Sequence, residues 1–301
     1  MISILAAPTN LGLRPPRETS VPGCAKAPEA LREAGLHARL LARGAEDTGV
    51  VLPGRYVDDW VAGEGRVRNQ DALIDHATRL ADRVGGLVDR GRAPLVLGGD
   101  CSVLVGAGVA LARRGRYGLV HIDGHADFRH PGNSDECASV AGEDLAAAVG
   151  LHWAAVSDIE GLSPYFAPEH TVHVGCRDDD GELDELRGVL PGVIPASRWM
   201  ADPAGALDTI RTIVTAGDLD GYWLHLDVDV LDPEFMPAVD SPDPGGLAPH
   251  HLVTLLGELA ADAAGADVCI YDPDLDPDGR HARLVTTTIT DGLADLAAHR
   301  T

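Results

Sequence analysis

The sequence predicts an α/β protein with three layers, αβα, in which a mostly parallel central sheet lies between two layers of helices. Short apolar runs rich in β-branched residues alternate along the chain with longer amphipathic segments, and two of the apolar runs end directly at aspartates. Alternating strands and helices are typical of parallel sheets with both faces covered. Such folds bind ligands at the carboxyl ends of the strands, where these aspartates would gather.

The elements are assigned in chain order from their length and periodicity. The predicted strands are residues 2–6, 94–98, 117–122, 171–175, 222–228 and 266–271. The predicted helices lie near residues 27–43, 69–90, 102–114, 203–216, 248–263 and 284–299. Regular structure resumes after each stretch rich in Gly, Pro and Asp, so we interpret these stretches as loops and expect one domain over residues 1–301.

The charge balance argues against several classes of partner. Lys plus Arg total 24 against 47 for Asp plus Glu, which gives a formal net charge of −23. Such an acidic chain repels phosphate backbones and anionic lipids, so no nucleic acid and no membrane is expected as a partner. The apolar run after Met1 is too short for a membrane span and lacks a basic start, and the five cysteines are scattered. We expect a cytoplasmic protein that acts on a small molecule.

Two strand ends carry residues that can bind metal ions. Asp123, His125 and Asp127 alternate after one apolar run, and Asp227 and Asp229 alternate after another. If the chain stays extended, alternate side chains point to the same side. Four carboxylates and an imidazole gathered at a sheet edge repel one another unless cations neutralise them. The pattern predicts two divalent metals with shared carboxylates and a hydroxide between them, and this donor set suits Mn²⁺.

Four motifs follow one another along the chain. They read A-P-E-A-L-R at 27–32, L-G-G-D-C-S at 97–102, H-I-D-G-H-A-D at 121–127 and D-V-D-V-L-D-P at 227–233. In this order they resemble the ureohydrolase family of arginases, agmatinases and formiminoglutamases, and the last motif is the most specific. The resemblance runs nearly end to end. It implies an arginase-like fold with two manganese ions that activate water to hydrolyse a guanidino or similar carbon–nitrogen bond.

The resemblance implies six metal ligands, namely Cys101, Asp123, His125, Asp127, Asp227 and Asp229. Asp123 and Asp227 would bridge the two metals. Cys101 and Asp127 would complete one metal, and His125 and Asp229 would complete the other. Asp127 is also a candidate catalytic residue, because it would hold the bridging hydroxide by a hydrogen bond.

Position 101 departs from most of the family, which has histidine there. A thiolate is softer than an imidazole and carries a full negative charge, so it favours Zn²⁺, Fe²⁺ or Co²⁺ over Mn²⁺. Three interpretations stay open: Cys101 is a ligand, the first metal is weakly held or absent, or Cys101 is a bystander in a repurposed scaffold. A cysteine at this position also resembles a minority branch of the family that hydrolyses Nω-hydroxy-L-arginine to hydroxyurea and ornithine. This resemblance favours the interpretation that Cys101 is a ligand.

Other positions concern the substrate. Ile270 stands where arginases usually carry a guanidinium-binding glutamate, and an isoleucine cannot pair with a cation. Asp272 or Asp274 on the following loop stays open as a substitute. No histidine occupies 141–142, where the family's proton-shuttling histidine would fall, so His130 on the preceding loop is the candidate catalytic substitute. By resemblance, Asp180 would meet an α-amino group and Arg129 would bind a carboxylate.

The sequence therefore predicts a metal-dependent amidinohydrolase acting on a guanidino or N-hydroxyguanidino amino acid. Nω-hydroxy-L-arginine or L-arginine would yield L-ornithine plus hydroxyurea or urea. A formimino, amide or ureido substrate stays open because of Ile270, and a catalytically silent scaffold stays open because of the altered positions. The number of carboxylates disfavours a single-metal site. By resemblance, we expect a homo-oligomer, either a trimer or a hexamer.

Overall fold

The computed structural model describes residues 1–300, within which one sheet contains eight strands. The strands are β1 (Ile2–Ala7), β2 (Glu46–Val50), β3 (Ala93–Gly98), β4 (Gly118–Ile122), β5 (Thr171–Val174), β6 (Gly192–Ile194), β7 (Tyr222–Asp227) and β8 (Gly265–Cys269). Their order across the sheet is β2-β1-β3-β8-β7-β4-β5-β6. All neighbouring strands are parallel, which confirms the predicted sheet type.

Helices cover both faces of this sheet. Every residue of β3, β4, β5, β7 and β8 is buried. Because successive side chains of a strand point to opposite faces, this burial requires a layer on each side and confirms the three-layer architecture. The helices are α1 (Ala27–Glu33), α2 (Leu36–Ala42), α3 (Gln70–Val88), α4 (Val103–Ala112), α5 (Asp144–Ala148), α6 (Ala154–Ser157), α7 (Leu183–Val189), α8 (Ala196–Ala201), α9 (Pro203–Val214), α10 (Pro249–Leu259) and α11 (Arg280–Gly292).

Several predicted elements need correction. The single helix expected near 27–43 is two helices, α1 and α2, because Gly35 between them has a φ of +93°. The last predicted helix, near 284–299, corresponds to α11, which begins at Arg280 and ends at Gly292. Strands β2 and β6 were not predicted. β2 is a polar, mostly exposed edge strand, and β6 has only three residues, so neither carries a long apolar run.

The order of the strands determines where the predicted ligands meet. Four adjacent strands, β3-β8-β7-β4, form the middle of the sheet. Cys101 follows β3, Asp123 follows β4, and Asp227 is the last residue of β7. Since the strands are parallel, these residues lie at the same edge of the sheet, as expected for a ligand site in this architecture. Among residues 1–300, no helix combines the length and apolar character needed to cross a bilayer.

Candidate metal centre

The turn after β3 places Cys101. Gly99 lies so close to the loop after β1 that a Cβ atom there would be 1.7 Å from Thr9 O, so only glycine fits. The buried Asp100 carboxylate accepts backbone N–H bonds from Gly12 (3.0 Å) and Ser102 (2.8 Å). These contacts fix the direction in which the chain leaves β3. As a result, Cys101 is fully buried beneath the carboxylates of the other two turns.

The turns after β4 and β7 are built alike. Asp123 Oδ1 accepts the backbone N–H of His125 at 2.7 Å, and Asp227 Oδ1 accepts that of Asp229, also at 2.7 Å. The chain therefore bends at each site, and Asp127 adopts a left-handed φ of +47°. The expectation of an extended chain is wrong. The bend still brings ligand atoms of Asp123, His125 and Asp127 within 4.8 Å of one another.

Side chains from the three turns contact one another. The Cys101 thiol donates to Asp227 Oδ2 over 3.1 Å. His125 Nδ1 lies 2.9 Å from Asp229 Oδ2, and its Nε2 lies 3.2 Å from Asp243 Oδ2 at the surface. The six predicted ligands thus form one cluster, of which His125, Asp127, Asp227 and Asp229 also line a cleft.

The electrostatics of this cluster favour bound cations. Burial and the neighbouring carboxylates raise the pKa of Asp123, Asp127 and Asp227 well above the usual range. Although burial opposes it, the contact with Asp229 raises the pKa of His125 to about 10. Asp123 Oδ2 is buried and has no hydrogen-bond partner within residues 1–300. An unpartnered carboxylate oxygen in a group of repelling acids is a fit for divalent metal ions.

Asp144, at the start of α5, contacts the cluster and was not identified from the sequence. Its buried carboxyl group lies beside that of Asp127, and burial raises the pKa of Asp144 to about 7. On the same helix, the backbone N–H of Ala146 donates to Asp127 O at 3.3 Å, so α5 supports the backbone of a predicted ligand. Its position in the chain gave no signal, since it follows a loop and belongs to none of the four motifs.

The cleft above the cluster has a volume of about 900 Å³ and contains the two predicted substrate-binding residues, Arg129 and Asp180. Asp180 also accepts the backbone N–H of Ala126 (2.9 Å), so it supports the turn after β4. Two further cations, Arg14 and Arg68, line the same cleft. They lie before β3 in the chain, far from any motif, and were not predicted.

His130 does not line the cleft. Its Nε2 lies 3.0 Å from Glu185 Oε1, and its Nδ1 accepts the backbone N–H of Gly132 at 3.0 Å. Both ring nitrogens therefore have partners on their own loop and on α7. The structure does not bring His130 together with the six ligands, and its catalytic role stays a prediction.

Ile270 lines the cleft next to the metal cluster. Its φ is +73°, a conformation that β-branched residues rarely adopt and that costs about 1–3 kcal/mol. A 2.6 Å hydrogen bond from its N–H to Gly99 O holds the backbone there. The apolar side chain thus forms part of the cleft wall, which Asp272 of the following loop also lines.

Comparisons with known proteins agree with this geometry. The model of the arginase family matches residues 1–294. Arginase from Bacillus caldovelox is 32% identical over 284 residues, which are 91% of this chain and 92% of that protein. The structure of the Bacillus caldovelox arginase superposes with a TM-score of 0.84 at 29% identity, covering 97% of each chain.

Proclavaminate amidino hydrolase from Streptomyces clavuligerus shares the fold, with a TM-score of 0.71 at 24% identity over 100% of this chain and 92% of that one. The predicted arginase-like αβα architecture is thereby confirmed. The shared fold and the match of the family model to residues 1–294 together show that the chain belongs to the arginase family, whose members are amidinohydrolases with a binuclear metal centre.

Proposed function

We propose that this chain holds two divalent metal ions and hydrolyses Nω-hydroxy-L-arginine or L-arginine to L-ornithine plus hydroxyurea or urea. The observation that supports the proposal is that the six predicted ligands lie in one cluster, of which His125, Asp127, Asp227 and Asp229 line a cleft. A volume of about 900 Å³ accommodates an amino acid with a long side chain. The deepest part of the substrate would be its guanidino or N-hydroxyguanidino group.

The ligands would divide between the two ions as the family resemblance implies, with Asp123 and Asp227 shared. Bound ions supply Lewis acidity and lower the pKa of water, which dispenses with a protein nucleophile. Asp127, whose backbone is hydrogen bonded to α5, would accept a hydrogen bond from the reacting water. Water adds to the guanidino carbon, the bond to the side-chain nitrogen breaks, and the leaving amine takes up a proton.

We propose Mn²⁺ as the native metal, because five of the six ligands are carboxylates or an imidazole. Cys101 is the exception. Burial and the neighbouring Cys269 and Asp227 raise the pKa of its thiol well above the usual value, so a metal must displace a proton there. A thiolate would shift the preference of that position toward Zn²⁺, Fe²⁺ or Co²⁺.

The outer cleft carries charges suited to the other end of an amino acid. Arg129 is half-exposed there, with Nε 4.0 Å from Glu143 Oε1, and Arg14 and Arg68 line the same space. A substrate carboxylate would pair with the guanidinium groups of Arg129 and Arg14, whereas Arg68 is already paired with Asp58. Asp180 would receive the α-amino group, which agrees with its place on the cleft wall.

Ile270 favours the hydroxylated substrate. A guanidinium ion left without an acid in a closed site loses a charged hydrogen bond worth about 1.5–3 kcal/mol. A hydroxyguanidine is a weaker base, so it tolerates the apolar wall better. The same observation supports a second candidate, a neutral formimino, amide or ureido substrate.

We further propose that the chain works in the cytoplasm on a small-molecule substrate, and its formal net charge of −23 argues against nucleic acid and membrane partners. On the family resemblance, we propose a homo-oligomer, either a trimer or a hexamer.

A substrate panel tests the proposal. The protein, supplied with Mn²⁺, is incubated with Nω-hydroxy-L-arginine, L-arginine, agmatine and formiminoglutamate, and the released urea, hydroxyurea, formamide and amines are measured. We expect the highest kcat/KM with hydroxyarginine, and ornithine in equal amount to hydroxyurea. Release only from formiminoglutamate would favour the second candidate, and no release from any compound would contradict both.

A further inference from the structure

A row of buried ionisable side chains lies directly beneath the metal cluster. In the sheet register, Asp267 of β8, His225 of β7, His121 of β4 and His173 of β5 are neighbours. All four are fully buried. His225 precedes Asp227 by two residues, and His121 precedes Asp123 by two, so the row is on the same face of the sheet as these ligands.

His225 has one nitrogen anchored and one without a partner. Its Nδ1 lies 2.6 Å from Asp267 Oδ1, and Trp223 Nε1 donates to the other oxygen of Asp267 at 2.5 Å. The carboxylate is therefore an acceptor and Nδ1 the donor. Nε2 of His225 is buried and has no hydrogen-bond partner within residues 1–300.

One ring nitrogen of His225 forms a set with Cys101 Sγ and an Asp123 carboxylate oxygen, and these atoms all lie within 4.8 Å of one another. Because Nδ1 is hydrogen bonded to Asp267, the nitrogen available to this set is Nε2. It is also 3.3 Å from Asp144 Oδ2, an oxygen that likewise has no partner in the described chain. A nitrogen lone pair facing carboxylate oxygens is unfavourable unless a proton or a metal ion lies between them.

We propose that His225 Nε2 is a further ligand of the metal ion that Cys101 holds. Donor atoms bound to one ion at about 2.0–2.3 Å are separated by no more than about 4.6 Å, which this group nearly satisfies as it stands. An imidazole bound through one nitrogen while the other donates to a carboxylate is the usual arrangement of metal-bound histidine, and Asp267 supplies that carboxylate. The inference rests on the metal centre of the proposed function.

The consequence is a centre with two unlike halves. The half at Cys101 would combine a thiolate, an imidazole and carboxylates, a set that suits Zn²⁺, Co²⁺ or Fe²⁺. The half at His125 would have the imidazole and carboxylates that suit Mn²⁺. His225 would thereby supply an imidazole to the metal ion at which Cys101 replaces the family's usual histidine.

The test is proton NMR of the protein loaded with Co²⁺. The ring N–H proton of a histidine bound to Co²⁺ gives a strongly shifted, solvent-exchangeable signal. We expect two such signals, from His125 and His225, with two Co²⁺ bound per chain. His225→Gln should lose one signal and bind the first Co²⁺ at least about 10-fold more weakly. The matched control, His173→Gln, alters the same buried row and should keep both signals.

The outcomes separate this inference from the proposed function. Two bound Co²⁺ with one shifted N–H signal, assigned to His125 by its loss in His125→Asn, would overturn the role of His225 and leave the binuclear site intact. No bound Co²⁺ would overturn both. The wild-type spectrum decides the question even if His225→Gln fails to fold.

Discussion

The Cys101 thiol lies 3.1 Å from Asp227 Oδ2, although 126 residues separate the two in the chain. The contact joins the ends of β3 and β7 across β8, which lies between them in the sheet. It places the sulfur at the same carboxylate that the resemblance assigns to both metals. The thiol thus lies beside a carboxylate to which the resemblance assigns both metals, and the first prediction tests its role.

Cys101→His should strengthen binding of Mn²⁺ while turnover persists, because an imidazole is a harder ligand than a thiolate and needs no proton removed at neutral pH. We expect the Kd for Mn²⁺ to fall by about 10-fold or more, measured by titration calorimetry. Cys176→Ala is the control, since this buried cysteine does not line the cleft. An unchanged Kd in Cys101→His would count against Cys101 as a ligand.

Asp229→Ala should remove one metal ion and reduce kcat/KM by more than about 100-fold, because even residues that only support a ligand contribute 10–100-fold to metal affinity or activity. Asp243→Asn is the matched control. It keeps an acceptor oxygen for His125 Nε2 at an exposed position, so it should reduce activity less than about 10-fold. A fully active Asp229→Ala protein would exclude the binuclear mechanism.

Ile270→Glu should shift preference toward arginine. A glutamate in the cleft wall supplies the missing partner of a guanidinium ion, so the ratio of kcat/KM for arginine to that for hydroxyarginine should rise about 10- to 100-fold. Ile270→Leu, which adds no charge, should leave the ratio unchanged. Equal ratios in the two variants would mean that this wall does not contact the reactive group.

Gly99→Ala should destabilise the fold and misplace Cys101, since the added Cβ would lie 1.7 Å from Thr9 O. We expect the free energy of unfolding to fall by about 1–3 kcal/mol, as measured by urea denaturation, with weaker metal binding. Gly188→Ala has open space within α7 and should be neutral or stabilising. Equal stabilities of the two variants would show that the turn after β3 is adaptable.

His76 should make stability depend on pH. It is buried, with Nε2 3.1 Å from Val51 O, and burial lowers the pKa of His76. Below about pH 6.5 the unfolded chain binds a proton that the folded chain does not, so the free energy of unfolding falls as the pH decreases. The decrease from pH 7 to 5 should be smaller in His76→Gln. Parallel curves would show that His76 is accommodated equally well when charged.

Local patterns in the sequence predicted the central strands and five of the six candidate ligands, whereas Cys101 was added by the family resemblance. Each of the apolar runs that end at Asp123 and Asp227 predicts both a strand and the polar residue at its carboxyl end. The bend at each end, however, depends on Asp carboxylates capping backbone N–H groups, which an alternating pattern does not reveal.

Long-range features were missed for a different reason. Asp144, Arg14 and His225 reach the site through the order of the strands and through loops, and neighbouring residues do not mark them. The row of His121, His173 and His225 exists only because three strands are adjacent in that register. Similarly, the exposed edge strand β2 forms by pairing with β1, without an apolar run of its own.

The metal content of the protein tests the central claim most directly. The chain would be purified without chelators, supplied with Mn²⁺, freed of excess metal and measured by elemental analysis. The binuclear account predicts two metal ions per chain in the wild type and one in Asp229→Ala. Zero or one ion per wild-type chain, under conditions where the fold is intact, would contradict it.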